Sequence, residues 1–568
     1  MKSRLKFLIP MSILIIASSC NEISLVRVNK NNNEENSYRT LIDGVEVNYL
    51  PGQYSKGFGL DFKVTNKNYK LLYTIDGSYP EEQDDNVFKN PIIIDRLNDL
   101  DKDNYPLTTS VDGILAGDNG GKCVSDAYNN NIQRTGNYVL SERLNTITIR
   151  VINTLTNETI YNRALTYIVN EENYTIPIVS LTMPYDNWFG DKNGFYNKIR
   201  EEIEHRVHLE FLDIANNEYF YRNSKIKLGG NWTLGYPQRT LNLNFNKDEN
   251  GNKNEKVKEA IFGDRTQRCS DKRLTKLTRF RLHNGGNCFE SHSGFNDAVI
   301  QSLMEDSNIA TTAHRPCLVY LNGEYWGLQY LREHYSDAYF SDNYDVEKDH
   351  VIHYNYKGNF IVDDDEPAVA AKALNELLAY LDNDFTSNAT YEYFIDNYID
   401  VDSFIDLFLG EAYASNWDFV GNYNNLRMWR VSEIDPNNPY ADGRWRFAMH
   451  DVDFAFTERT NFLDKNHGNS YSKFNLFAKL LENDNFKERF YQRAVYLVSN
   501  NFDPSSSAKK LAKMVEDVKP YKKDALLRWG QKEKAYDDWL NYCEWLTGYF
   551  EDRNRSFLAV VNDSLKQY

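Results

Sequence analysis

The stretch Ser415–Phe456 constrains this chain more than any other. It reads SNWDFVGNYNNLRMWR, then the polar insertion VSEIDPNNPYADG, then RWRFAMHDVDFAF. Asp418 follows the apolar, helix-like run FIDLFLGEAYA, and Asn422, Asn424 and Asn425 come shortly after it. The bulky runs LRMWR and RWRFAMH read as two strands of a half-buried ladder. The second strand delivers Asp451 and Asp453, one residue apart. A carboxylate, an amide, a hairpin and a second carboxylate have a joint chemical use. The first can accept a hydroxyl proton, while the amide oxygen and the second carboxylate hold Mg²⁺. The same pattern also suits an Asn-rich turn between two strands with Asp at its ends.

The chain has 568 residues, enough for a large core and two or three domains. Its 40 Tyr and 31 Phe argue for a folded, strand-rich protein and against a disordered one. A formal charge of −17, with no basic aromatic-laced patch, excludes general nucleic-acid binding from the expected partners. Six cysteines without CxxC spacing indicate neither a zinc site nor a dense disulfide framework.

Lys2, Arg4 and Lys6 precede an apolar run from Phe7 to about Ala17, then Ser18, Ser19 and Cys20. That run is too short to cross a bilayer as a helix, which takes about 20 residues. It suits the apolar region of a signal peptide. Small residues running into a cysteine resemble a bacterial lipoprotein signal, which implies cleavage before a lipidated Cys20. An exported protein held at the cell envelope by acyl chains is the expected localisation, with an ordinary signal peptide or N-terminal anchor as the other reading.

Residues 21–39 form a polar linker. From about residue 40 to 172, short alternating runs such as YKLLYTIDG, TITIRVINT and ALTYIVN predict an immunoglobulin-like β-sandwich. The phrase YTIDGSYPEE resembles the small sandwich modules appended to chitobiase-type secreted enzymes, which act as spacers or weak binders; a glycan contact is the partner this implies. Beyond it, IKLGGNWTLGYPQRTLNLNF predicts two strands around a glycine loop. Gly229, Gly230 and Gly235 would let backbone amides approach an anion, and Arg239 stands where a cation could reach phosphate. A plain hairpin turn explains the same glycines. GFNDAVIQSLMED has helical spacing, and PCLVYLNGEYWGLQYLRE predicts a hairpin turning at Asn322–Gly323. After Asn500 the apolar spacing of three and four predicts C-terminal helices over 501–568.

Seven phrases in order carry a resemblance: IPIVSL, NGFYN, GGNWTLGYPQRTLNLNF, LHNGGN, LNGEYWGLQYLRE, NWDFVGNYNN and HDVDFAF. Together they look like the CotH kinase family, relatives of the spore coat protein H. The resemblance implies an α+β, atypical two-lobed protein-kinase-like domain over 173–500 that moves phosphate from ATP, with Mg²⁺ or Mn²⁺, to serine-rich exported proteins. It also implies roles. Asp418 matches the catalytic Asp and Asp451 the metal-binding Asp. The metal-binding Asn falls on Asn425, with Asn424 and Asn422 as alternatives, and Asp453 is a second metal ligand or a helix cap. Arg239 falls where the family shows Lys, and a planar fork seats phosphate differently from an ammonium. Glu333 lies where a kinase hinge would meet adenine. His450, beside Asp451, would fall near the metal or serve a buried structural role. Two other functions remain open at this level: nucleotidyl transfer on the same scaffold, and non-catalytic surface adhesion.

Overall fold

The computed structural model describes residues 38–97, 143–190, 192–196, 198–199, 201–230, 232–236, 238–245, 256–286, 293–356, 360–362, 367–420, 425–456, 475–529 and 534–566. Residues 1–37, where a lipoprotein signal with Cys20 is expected, and Asn422 and Asn424 lie outside the described residues. The protein is a mixed α+β structure.

An all-β unit comes first. Strands β1 (Arg39–Ile42), β2 (Val45–Val47) and β5 (Phe62–Val64) form one sheet. A second runs β3 (Gly52–Tyr54), β9 (Glu158–Val169), β8 (Asn145–Asn153), β6 (Tyr69–Thr74), and β4 (Phe58–Leu60) pairs with β7 (Ile92–Ile94). Alternating residues Ile147, Ile149 and Val151 of β8, with Leu165, Tyr167 and Val169 of β9, close over Val45, Val47 and Leu71 in one core. Buried polar contacts join this unit to the barrel that comes after it in the chain. Leu144 N donates to Gly323 O at 2.8 Å, and from β9 Thr166 donates to Glu210 while Arg163 pairs with the same carboxylate at 3.7 Å.

The barrel is closed and comprises β10 (Ile178–Thr182), β11 (His205–Asp213), β12 (Glu218–Gly229), β13 (Thr240–Asn244), β14 (Arg279–His283), β15 (His314–Leu321) and β16 (Glu324–Arg332). Parallel pairing of β10 with β15 closes it, while the other neighbours run antiparallel. The strand period sorts its side chains. Cys317, Val319 and Leu321 enter the barrel core with Leu241, Leu243, Phe280 and Trp326. Leu318, Tyr320, Leu328 and Tyr330 point the other way, into the helical core. Closure leaves the barrel without a free edge.

A four-stranded sheet, ordered β18 (Phe360–Val362), β17 (Val351–Tyr356), β19 (Leu426–Val431), β20 (Arg446–Ala448), lies beyond it. The helices are α1 (Tyr185–Phe189), α2 (Asn296–Leu303), α3 (Asp337–Tyr344), α4 (Pro367–Tyr380), α5 (Asn388–Asn397), α6 (Val401–Tyr413), α7 (Trp417–Val420), α8 (Leu476–Leu480), α9 (Asp484–Ser499), α10 (Pro504–Arg528) and α11 (Lys534–Leu565). Helix α6 is buried along nearly its whole length and is capped by Asp400, whose carboxylate accepts from Ser403 N at 3.1 Å. Helices α9, α10 and α11 pack into the same core as α6 and the barrel's outer face. No helix among the described residues is long and apolar enough to cross a membrane.

Candidate active site

The site is built around the C-terminal end of α6. Arg553 of α11 donates from Nε to Tyr413 O at 3.1 Å and from Nη2 to Ala412 O, so a cation closes the last carbonyls of the helix. Tyr549 donates to Tyr413 O at 2.8 Å. The chain then turns sharply through Ser415 (φ 51°) into α7, which carries Asp418 in its first turn.

Asn425 follows at φ 65°, held by its own N–H donating to Tyr356 O at 3.1 Å. Its side-chain amide donates to Asp418 Oδ2 at 3.2 Å, so two of the residues expected to act together touch. The amide N–H₂ faces the carboxylate, which leaves the amide oxygen directed elsewhere.

β20 delivers the second carboxylate. Met449 is pinned on both sides, its N–H donating to Ala310 O at 2.9 Å and its carbonyl accepting from Tyr335 at 2.7 Å. Asp451 takes φ 59° and Phe456 takes φ 60°. Ser415, Asn425, Asp451 and Phe456 are four of nine non-glycine residues at positive φ among those described, all within one stretch. Asn and Asp visit this region more readily than Ser or Phe, so Ser415 and Phe456 need support from packing. Phe456 has it: its N–H donates to Ala414 O, and its ring sits 5.5 Å from Tyr549 and 5.9 Å from Phe550.

Asp453 is 4 % exposed and lies against Gly286. A Cβ at Gly286 would overlap Asp453 Oδ2, and φ there is +67°, so only glycine fits. The phrases LHNGGN and HDVDFAF thus meet face to face. His450 Nε2 lies 3.4 Å from Arg427 Nη2, and its ring packs edge-on to Tyr335 at 5.9 Å.

Two acidic residues outside the sequence motifs join the cluster. Asp297, in the first turn of α2, accepts from Val452 N at 3.1 Å and from Gln301 at 2.8 Å and pairs with Arg332 of β16. Burial alone would raise its pKa, but the guanidinium of Arg332 and these donors outweigh it and hold the carboxyl low. Glu411, on α6, accepts from the Asn416 amide at 2.9 Å. Burial pushes its pKa up to about 8; the amide pulls it down, while Asp297, Asp418 and Asp451 push it further up. Three carboxylates therefore bear on one buried acid. Its signal in the sequence is a lone Glu inside the apolar run FLGEAYA.

The barrel-side residues are placed differently from expectation. Arg239 is fully buried, with Nε donating to Leu234 O at 2.7 Å and Nη1 to Tyr196 O, and its guanidinium lies over the Tyr196 ring. A planar fork suits two carbonyls, and here it ties the glycine loop to the barrel instead of facing a phosphate. Gly229 backs onto the Asn242 side chain, and a Cβ there would meet it at 2.7 Å; Gly230 adopts φ +99°. Glu333 is also enclosed, accepting from Ala313 N at 2.7 Å and Asn343 at 3.0 Å, and burial raises its pKa. It latches β16 to α3, so the expected hinge contact has no support in this geometry.

Among the described residues no three His, Cys, Asp or Glu side chains converge as a metal cage. Mg²⁺ rarely uses one: it takes one or two carboxylates and fills its shell with water and phosphate oxygens. Asp451, Asp453 and the Asn425 amide oxygen have the hard-oxygen chemistry that fits such an ion.

Barrel, helical unit and acidic turn define a class of α+β protein in which carboxylates from two separate turns gather beside one helix end. The family model described as CotH kinase protein matches residues 226–557, more than half of the chain, and the chain belongs to this family. The match runs through α10 and most of α11, and so includes Arg553, the residue that closes α6. No curated protein matches the chain.

Proposed function

We propose that this chain is an exported, lipid-anchored atypical kinase of two-lobed design that moves the γ-phosphoryl group of ATP to Ser or Thr hydroxyls of a serine-rich protein. The observation that carries the reading is the contact of Asn425 with Asp418, with Asp418 and Asp451 both bearing on Glu411. Family membership supports kinase chemistry and, in general, a need for nucleotide and divalent metal.

Asp418 orients the substrate hydroxyl and accepts its proton as the oxygen attacks. Asp451, the Asn425 oxygen and Asp453 would hold Mg²⁺ or Mn²⁺, which when bound neutralises the phosphate oxygens. Asn425 also fixes the Asp418 carboxylate through its amide, so one side chain serves both tasks. Backbone N–H groups near Gly230 are left to seat the phosphates, since Arg239 is engaged within the barrel. Cys20 is the proposed lipidation site, and the all-β unit is the spacer between that anchor and the barrel.

The test is transfer from ATP labelled at the γ-position to a serine-rich peptide, with the product read by mass spectrometry. Asp418→Ala should lower the rate by about 10²–10⁴-fold and leave nucleotide binding near wild type. Asp451→Ala should abolish the metal-dependent part of nucleotide binding. Wild-type transfer by Asp418→Ala, or a product carrying AMP, would overturn the assignment. Labelled palmitate entering wild type but not Cys20→Ala tests the anchor.

A further inference from the structure

The first turn of α2 grips the segment that carries Asp451 and Asp453 at two points. Asp297 accepts from Val452 N at 3.1 Å, and Asn296 donates from Nδ2 to Ala455 O at 3.2 Å. Between these points the segment turns on itself, Ala455 N donating to Val452 O at 3.1 Å. Asp453, backed by Gly286, stands inside that turn, and Asp451 is next to its first anchor.

Asp297 is itself held from several sides. Its Oδ1 takes both Val452 N and the Gln301 amide, the latter at 2.8 Å, while Oδ2 pairs with Arg332 Nη2. Arg332 also donates to Thr312 Oγ1 at 2.7 Å. Thr312 returns to Gln301, whose Oε1 accepts from its N–H at 2.7 Å and its hydroxyl at 3.0 Å. The four side chains close a ring that joins α2, the residue before β15 and the barrel strand β16, and all four are buried. His283 and His314 lie beside the ion pair. Burial, and then Arg332, pushes both down to about 3, so neither competes as a cation for the carboxylate.

Three donors therefore converge on Asp297. An ionised carboxylate only accepts and meets all three, whereas an amide of the same shape would turn its N–H₂ towards one of them. A buried ion pair that served stability alone could be replaced by apolar packing. Apolar packing could not supply the acceptor at Val452 N. Metal ligands depend on such outer partners for their orientation.

We propose that Asp297 is a positioning residue for the metal segment. Through Val452 N it fixes where Asp451 and Asp453 stand, and through Arg332 it ties that position to the barrel, so the two parts of the fold place the metal together. The inference rests on the metal-binding role proposed for Asp451 and Asp453.

Two measurements on the full chain test it: hydrogen exchange at Val452 without metal, and Mn²⁺ binding in saturating ADP, read by electron paramagnetic resonance. Asp297→Asn should speed exchange at Val452 about tenfold or more, the effect of losing one hydrogen bond to a charged acceptor. It should raise the Mn²⁺ dissociation constant about 10–100-fold, as loss of an outer partner does. Binding of metal-free ADP should stay at the wild-type value, a separation that a general loss of packing would not give. Gln301→Met frees one side of the carboxylate and leaves its charge paired with Arg332. It should move exchange and Mn²⁺ binding the same way by a smaller factor, and it decides the matter alone if Asp297→Asn does not fold. If wild type binds no Mn²⁺, the metal role of Asp451 and Asp453 falls and this proposal with it. If wild type binds Mn²⁺, the proposal alone is overturned by folded variants that bind it as tightly, that lose metal-free ADP by the same factor, or that exchange Val452 at the wild-type rate.

Discussion

The loop from Gly229 to Arg239 and the segment from Ser415 to Phe456 both hold residues expected to face a nucleotide, and they are built in opposite ways. In the loop, Arg239 donates to two backbone carbonyls, Gln238 donates to Leu328 O at 3.0 Å, and Gln329 donates to Arg239 O at 2.8 Å. Its polar groups hold the shape of the barrel. In the second segment the backbone takes four positive-φ turns, and Asp418 and Asp451 bear on a buried acid whose proton is retained to about pH 8. A buried cation among carbonyls fixes a fold. Carboxylates gathered beside a helix end concentrate negative potential that a bound cation would relieve.

The sharpest way to break this contrast is Arg239→Ala. If the residue is structural, the variant loses about 3 kcal/mol or more, because Leu234 O and Tyr196 O are left buried without their donor. Urea unfolding of the variant checks it. A wild-type midpoint combined with lost nucleotide affinity would return Arg239 to the phosphate site.

Glu411→Gln tests the other side. The folded carboxyl titrates near 8 against an ordinary 4.5, so between these values the unfolded chain has lost a proton that the folded chain keeps. Stability should therefore fall as pH rises from about 4.5 to 8 and level off above. Glutamine removes that fall, a difference on the order of a few kcal/mol at pH 8 and near zero at pH 4.5. Parallel pH profiles for the two proteins would mean that burial and the acidic neighbours do not hold the Glu411 proton in the folded chain.

Gly286→Ala is the smallest and most local probe. A methyl group overlapping Asp453 Oδ2 at φ +67° should cost about 1–3 kcal/mol and push Asp453 aside. Thermal melts with and without Mn²⁺ separate the two effects. A metal-induced rise in melting temperature as large as in wild type would remove Asp453 from the metal set.

Much of the local structure was legible from residue patterns. Asn322–Gly323 turns the β15–β16 hairpin at φ 45° and 81°, the dihedrals that Asn-Gly favours. LRMWR and the middle of RWRFAMH form paired strands, GFNDAVIQSLMED contains α2, and the spacing after residue 500 forms α10 and α11. Chain proximity also put Asp418 and Asn425 within reach of one another, since only six residues separate them.

Other features came only with the tertiary structure. Arg239 heads a strand whose alternation could have sent its side chain to either face, and closure of the barrel by β10 and β15 decided for the interior. Asp297 and Glu411 lie on different helices, and their part in the site depends on Val452, Asn416 and the carboxylates around them. Backbone preference and hydrophobic period act between neighbours in the chain, so a sequence states them directly. The direction of a buried charge, and the potential it meets, come from groups distant in the chain acting through a poorly polarisable interior, and these are set only when the chain has folded.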